Sequence, residues 1–391
     1  MPDPSRRTYP GLDTVRALAA LAVLTTHTSF WAGLYPQGLL GAMTARLDIG
    51  VAVFFVLSGF LLGRPFLVAM ADGTRAPRAG RYLWKRALRI VPLYVVTVVL
   101  ALVTLPENDG AGPLTWLRQL TLTQVYPGGE LVAGLTHMWS LCVEVAFYVA
   151  LPALMWLLAR GVARRAWRAR TVLAALAVAA VLSWCWLGLV APRVALSNLW
   201  LPAFLGWFAV GLAVAVVDVE RRDSDRFAAL AGLARQPGVC WTLAAAAFAV
   251  SATPLAGPVL LQQPTASEAV VKSMLYAVAA GLVVLPSVLG PEGTRYARVT
   301  AWRPLRHLGH ISYGIFCLHL LVVHGVTAAL DLPLYQGGGW TILGLTLVGS
   351  VLAAEVAYRL VEKPAMRLKD RGRRRGTTPP TSAPTASSAT S

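Results

Sequence analysis

Charge is what this sequence has least of. Of its 391 residues only 14 % are Asp, Glu, Lys or Arg, against roughly 25 % in an ordinary soluble domain. Together with its apolar content, that deficit excludes a disordered chain and argues against a soluble enzyme of this length. Acids are the scarcer sign, 18 Asp and Glu against 35 Lys and Arg, for a formal net charge of +17. Cysteine is scarce as well. Cys142, Cys185, Cys240 and Cys317 each lie in or beside an apolar run, with no CxxC or metal-ligand spacing. That argues against a disulfide framework or a cysteine metal centre, and all four read as buried, inert thiols. No internal repeat is evident.

What is abundant is apolar. Hydrophobic residues make up 56 % of the chain, and the mean hydropathy is +0.60. In a soluble protein so basic a balance points to nucleic acid. In an apolar chain it points to a polytopic membrane protein with basic cytoplasmic loops. The positions of the charges decide between the two.

A membrane helix needs about 20 mostly apolar residues. Ten stretches qualify: 12–30, 47–70, 83–104, 137–159, 171–191, 198–217, 239–261, 269–289, 307–330 and 340–361. The seventh is the weakest, because Pro254 and Pro258 interrupt it. The first is no signal peptide, since Asp13 and Arg16 break its apolar core. One set of loops holds Arg6 and Arg7, the run from Arg64 to Arg89, Arg160 to Arg170, Arg221 to Arg235, Arg295 to Arg306 and Lys363 to Arg375. The alternate loops hold Arg46, Arg118 and Arg193, with Lys272 at a span edge, beside acids such as Asp48, Glu107, Glu130 and Asp331. This alternation places both termini in the cytoplasm and requires an even number of crossings.

The fold expected is therefore all-α: a polytopic integral membrane protein of about ten transmembrane helices. A short basic N-terminus (1–8) precedes the transmembrane region (9–366) and a basic, then Thr/Ser/Pro-rich, disordered tail (367–391). Residues 105–136 form the longest external loop, with a short interfacial helix expected around Trp116 to Leu122. The lipid bilayer is an expected partner and nucleic acid is not. The oligomeric state is not legible.

Ionisable groups inside such spans are expensive, and they are functional candidates by default. Asp13, Arg16 and His27 share the first span. Arg16 and His27 are three turns apart on one face, separated by roughly 16 Å along the axis. They either line a polar path or snorkel to opposite surfaces. Arg86 and Arg89, an i,i+3 pair opening the third span, suit a phosphate or merely anchor a basic helix start. Glu144, in the fourth span, lies at a depth comparable with His27. It either orients that imidazole or pairs with a neighbouring helix. Weaker candidates are Ser312, Tyr313, His319 and His324 in the ninth span, and the Glu355–Arg359 pair in the tenth. Ser58-Gly59 in the second span permits close helix packing, the first reading, or a slim acyl chain.

Taken together the motifs resemble the membrane acyltransferase-3 family. The matching stretches are Leu12 to Arg16 through His27 (an Arg-x10-His motif), Val53 to Phe60, Arg86 to Pro92 (Arg-x-x-Arg), Trp139-Ser140-Leu141 with Glu144 and Phe147-Tyr148, and Ile311 to Gly314 with His319. Glu362-Lys363-Pro364 matches the family's usual ending. The resemblance implies transfer of an acyl group, acetyl by expectation, from cytoplasmic acyl-CoA to a hydroxyl of a sugar, an envelope glycan or a glycosylated natural product such as a macrolide. It gives His27, Glu144, Arg16 and Asp13 the catalytic roles and Arg86 and Arg89 the CoA phosphates. Trp139, Ser140, Tyr313, His319 and Ser58 become substrate contacts. No metal and no fused SGNH domain are expected, and the location implied is a bacterial cell membrane. The rival is a transporter or flippase whose buried polar groups line a path.

Overall fold

The computed structural model describes residues 8–161, 167–221, 224–259, 262–332, 334–335 and 337–369. The disordered tail expected from residue 367 lies, beyond Lys369, outside the described residues, as do Arg6 and Arg7. Among the described residues every regular element is helical. Ten helices of 15 residues or more organise the described residues: α1 (Gly11–Trp31), α2 (Ile49–Ala71), α3 (Ala79–Thr104), α4 (Trp139–Gly161), α5 (Ala169–Cys185), α6 (Leu201–Glu220), α7 (Pro237–Ser251), α8 (Ala266–Leu289), α9 (Arg303–Ala329) and α10 (Gly339–Ala357).

Each helix overlaps one of the ten apolar stretches. Eight helical segments, all but those of α1 and α7, are long and apolar enough to cross a membrane. α1 is long enough, at 21 residues, and its polar side chains set it apart. α7 has only 15 residues, a rise of about 22 Å. It ends where the sequence turns to Pro254 and Pro258, and a 3-10 turn over Pro254–Ala256 follows.

Helices run up and down, and side-chain contacts mark the two ends of the bundle. At the end carrying residue 8, the Asp218 carboxylate accepts hydrogen bonds from Tyr9 Oη (2.7 Å), Arg64 Nε (2.8 Å) and Arg221 (2.9 Å). One buried acid thus ties the start of α1 to the ends of α2 and α6. At the opposite end Arg46 donates to the Ser251 and Ala256 carbonyls at 2.7 and 3.0 Å, pinning the turn after α7. The expected short helix in the long loop is present at Pro113–Leu120. The loop is anchored by Asn108, whose amide donates to Ala101 O (2.8 Å) and Ala133 O (3.1 Å).

Glycines set the closest helix approaches. A Cβ on Gly59 would collide with the Phe208 carbonyl, and one on Gly211 with that of Val56, so α2 and α6 pack backbone to backbone. Phe55, Phe208 and Phe147 stack beside this contact, with centroids 4.6 and 3.8 Å apart. α1 is gripped in the same way. Gly50 of α2 abuts the Ala19 carbonyl, and Gly309 of α9 abuts that of Asp13. Of the four thiols, Cys142, Cys240 and Cys317 are buried, whereas Cys185 is exposed. It lies on α5, whose segment is only 22 % buried within the protein, so it faces outward rather than inward as expected.

Candidate active site

Among the described residues, two of the cavities gather most of the candidate side chains, one nearer each end of the bundle. The cavity nearer residue 8 spans about 720 Å³ of atom-free space, partly open to its surroundings, and is lined by Arg16, Ser58, Arg86, Arg89, Ser140, Glu144 and Tyr313, among others. Seven of the eleven residues to which the resemblance gives roles therefore converge there, drawn from α1, α2, α3, α4 and α9. Arg86 and Arg89 project from the first turns of α3. Their basic run precedes Pro92, which lacks the N–H that would bond the Leu88 carbonyl. Tyr313 of α9 closes against this region by donating to Ile90 O at 2.8 Å.

Electrostatically this cavity is cationic. Three guanidiniums line it against one carboxylate. Glu144 Oε1 accepts from both Ser58 Oγ and Tyr148 Oη at 2.5 Å. Arg89 has a second acid behind it, Glu362, at 4.0 Å. Arg86 Nε is buried without a hydrogen-bond partner among the described residues. A buried, unpaired guanidinium donor is costly, and an anion in the cavity would relieve that cost.

The cavity at the opposite end spans about 970 Å³, partly open to its surroundings, and is lined by His27, His137, Trp139, Arg46, Asp48 and Lys272, among others. His27 Nδ1 sits 2.9 Å from His319 Nε2. His319 Nδ1 lies 2.7 Å from the Phe316 carbonyl and 3.2 Å from that of Ile315. Carbonyls only accept, so His319 Nδ1 carries the proton. With both rings neutral, His319 Nε2 accepts from His27 Nδ1–H. His27 Nε2 is then left with a free lone pair. The partner orients the ring and fixes its tautomer. His137 completes a cluster of three, with ring centroids 5.9 Å from His27 and 4.6 Å from His319. Lys272 Nζ donates to Asp48 at 2.7 Å at the rim, a polar edge suited to hydroxyls. Among the described residues, no group of three or more His, Cys, Asp or Glu is placed to hold a metal ion.

Two expectations need revision. Glu144 does not partner His27. His137 is level with His27, and Glu144 follows it by seven residues, or roughly 10 Å along the helix. Its hydrogen bonds go to Ser58 and Tyr148, and His319 takes the place beside His27. Asp13 lines neither cavity. It pairs with Arg306 (3.3 Å) and Arg16 (3.9 Å) at the end of the bundle carrying residue 8. Sequence reasoning noted His137 and Tyr148 in the fourth-span run but gave them no role. His137 stands two residues before the Trp-Ser-Leu run, and Tyr148 follows Glu144 by one helical turn; both signals were available. His324 lies apart, against Trp31 and Glu107. Glu355 binds His307 and Arg359 in an exposed cluster, which fits a structural pair.

A family profile described as an acyltransferase domain matches residues 9–359. The chain belongs to the acyltransferase-3 family. It is a membrane O-acyltransferase, and relatives extend along its length. Acyltransferase MdmB of Streptomyces mycarofaciens is 26 % identical over 95 % of each chain. Nodulation protein 10 of Rhizobium leguminosarum is 26 % identical over 91 % of this chain and 93 % of its own. The peptidoglycan O-acetyltransferase OatA of Listeria monocytogenes is 24 % identical over 92 % of this chain, but that match spans only 56 % of OatA. No solved structure matches.

Proposed function

We propose that this acyltransferase moves a short acyl group, acetyl by expectation, from acyl-CoA to a hydroxyl of a sugar or glycosylated acceptor. Donor and acceptor meet across the two cavities. The protein crosses a bacterial cell membrane ten times, with both termini in the cytoplasm. Acyl-CoA enters the cationic cavity from that side. The observation that carries this reading is the pairing of cavities: three arginines at one end, and an oriented histidine with a free Nε2 at the other.

Arg86 and Arg89 bind CoA phosphates through charge-assisted hydrogen bonds, and Arg16 adds a third cation deeper along α1. The acceptor hydroxyl approaches His27 from the outer cavity, where Trp139 offers an apolar face and the Asp48–Lys272 pair offers polar contacts. His27 Nε2 takes the hydroxyl proton as the oxygen attacks the thioester carbonyl. The new C–O bond forms, the C–S bond breaks, and the proton passes from His27 to the departing thiolate, giving ester and free CoA. In the relay version the His27 Nε2 lone pair attacks the thioester carbonyl and the C–S bond breaks to release the CoA thiolate; the acceptor oxygen then attacks the acyl-imidazole, the C–N bond breaks, and the hydroxyl proton ends on the thiolate, giving ester, free CoA and the neutral imidazole again.

Labelled acyl-CoA incubated with purified protein and no acceptor separates the two versions. Label held on His27 supports the relay, and its absence alongside an active three-component reaction supports direct attack. Comparative mass spectrometry of glycans and metabolites from a deletion strain identifies the acceptor as the molecule that loses one acyl group. If no acyl-CoA is consumed by the protein in any proteoliposome preparation, the assignment fails.

A further inference from the structure

The two cavities share two lining residues, Val51 of α2 and Phe316 of α9. We infer that Val51 and Phe316 form the throat through which the acyl group reaches His27, and that their side chains set its upper size. This rests on the donor and acceptor placement proposed above.

The argument is one of chemical matching. On the side of the throat nearer residue 8 stand guanidiniums and a carboxylate, and on the other side stand imidazoles, Asp48 and Lys272. Between them the shared side chains are apolar. The acyl chain is the one part of such a donor that an apolar constriction favours, because the phosphates stay with Arg86 and Arg89. Only that end of the donor needs to advance, since Arg16 and His27 stand roughly 16 Å apart along one helix.

The throat is also stiff. The Phe316 ring meets His137 edge-on at 5.0 Å and Phe54 at 6.2 Å. Its backbone carbonyl is held by His319 Nδ1 at 2.7 Å. The residue is 8 % exposed. A ring held on these sides cannot swing aside for a longer chain at little cost, because close-packed interiors resist such shifts. Phe316→Ala removes the ring and keeps the carbonyl that holds His319, so the variant widens the throat without removing the His27 partner.

The test uses permeabilised cells of the native host, with the chromosomal copy deleted and each full-length variant restored; these contain the natural acceptor. Acetyl-, propionyl-, butyryl- and isovaleryl-CoA are supplied in turn, and acylated product is measured by mass spectrometry. Pocket discrimination of one methylene spans about 10–200-fold. The wild-type preference for acetyl over isovaleryl is expected to fall at least about tenfold in Phe316→Ala. It is expected to fall also in Val51→Ala, and to rise in Val51→Phe. The opposed direction of Val51→Phe separates a size effect from general damage. An unchanged chain-length ratio in Phe316→Ala and Val51→Ala, with acetyl transfer retained, overturns the throat and leaves the acyltransferase reading standing. Loss of all transfer in those two variants, with no shift in Val51→Phe, also overturns it. Failure of the wild type with every donor overturns both.

Discussion

Removing the imidazole that holds His27 is the most informative single perturbation. His319 is fully buried, and its Nε2 accepts from His27 Nδ1–H at 2.9 Å. In His319→Ala that donor loses its partner inside the bundle. Leaving a buried donor unsatisfied costs about 1–3 kcal/mol. At about 1.4 kcal/mol per tenfold in rate, the expected loss in kcat is about 5–150-fold. The loss arises because the ring now samples orientations and tautomers in which Nε2 does not face the acceptor. It is smaller than the loss on removing His27 itself. His319 does not line the cationic cavity, so KM for acyl-CoA is expected to hold. His319→Gln offers a carbonyl oxygen to the same N–H and is expected to restore part of the rate. Steady-state kinetics in proteoliposomes, with thermal unfolding and size-exclusion controls, reads all of this. Wild-type kcat in His319→Ala would refute the orienting role. So would a folded His319→Gln no better than the alanine variant.

Other variants probe the remaining parts. His27→Ala is expected to lower transfer by about 10²–10⁴-fold, the usual contribution of a general base, with expression and membrane insertion unchanged; substantial residual transfer would remove His27 from the chemistry. Arg86→Ala and Arg89→Ala are each expected to raise KM for acyl-CoA by about tenfold or more, from hydrogen bonds to charged groups worth about 1.5–3 kcal/mol, while kcat changes little. Donor affinity equal to wild type would end the phosphate assignment. Gly59→Leu is expected to destabilise the fold by about 1–3 kcal/mol or more through overpacking against α6, seen as a lower melting temperature in detergent.

The sequence made the helices legible because hydropathy is a property of a single segment, and lipid crossing depends on little else. It also made faces legible: Arg16 and His27 do line one side of α1, each opening onto a cavity. It did not make neighbours legible. His27 and His319 are 292 residues apart in the chain, and their contact depends on how α1 and α9 pack, which the Gly309–Asp13 approach governs. Glu144 went astray for a related reason. Depth was counted from an uncertain span boundary, and an offset of two turns moved it from one cavity to the other. Ser58 was read first as a packing residue, and the structure divides that motif: Gly59 packs on α6, while Ser58 turns one residue round the helix and donates to Glu144.

The grip of Gly50 and Gly309 on α1 gives that helix the role of a calliper. Its two jaws, Arg16 and His27, are fixed to one rod, and the rod is clamped by backbone on both sides. Opening and closing for substrates then falls to the other walls, chiefly the cation-bearing start of α3 and the outer loops, while the reach from donor to acceptor stays constant. A one-residue insertion between Arg16 and His27 would turn His27 by about 100° and lengthen the reach by about 1.5 Å. The gauge would then be wrong in both angle and length, although every side chain needed for the chemistry would still be present.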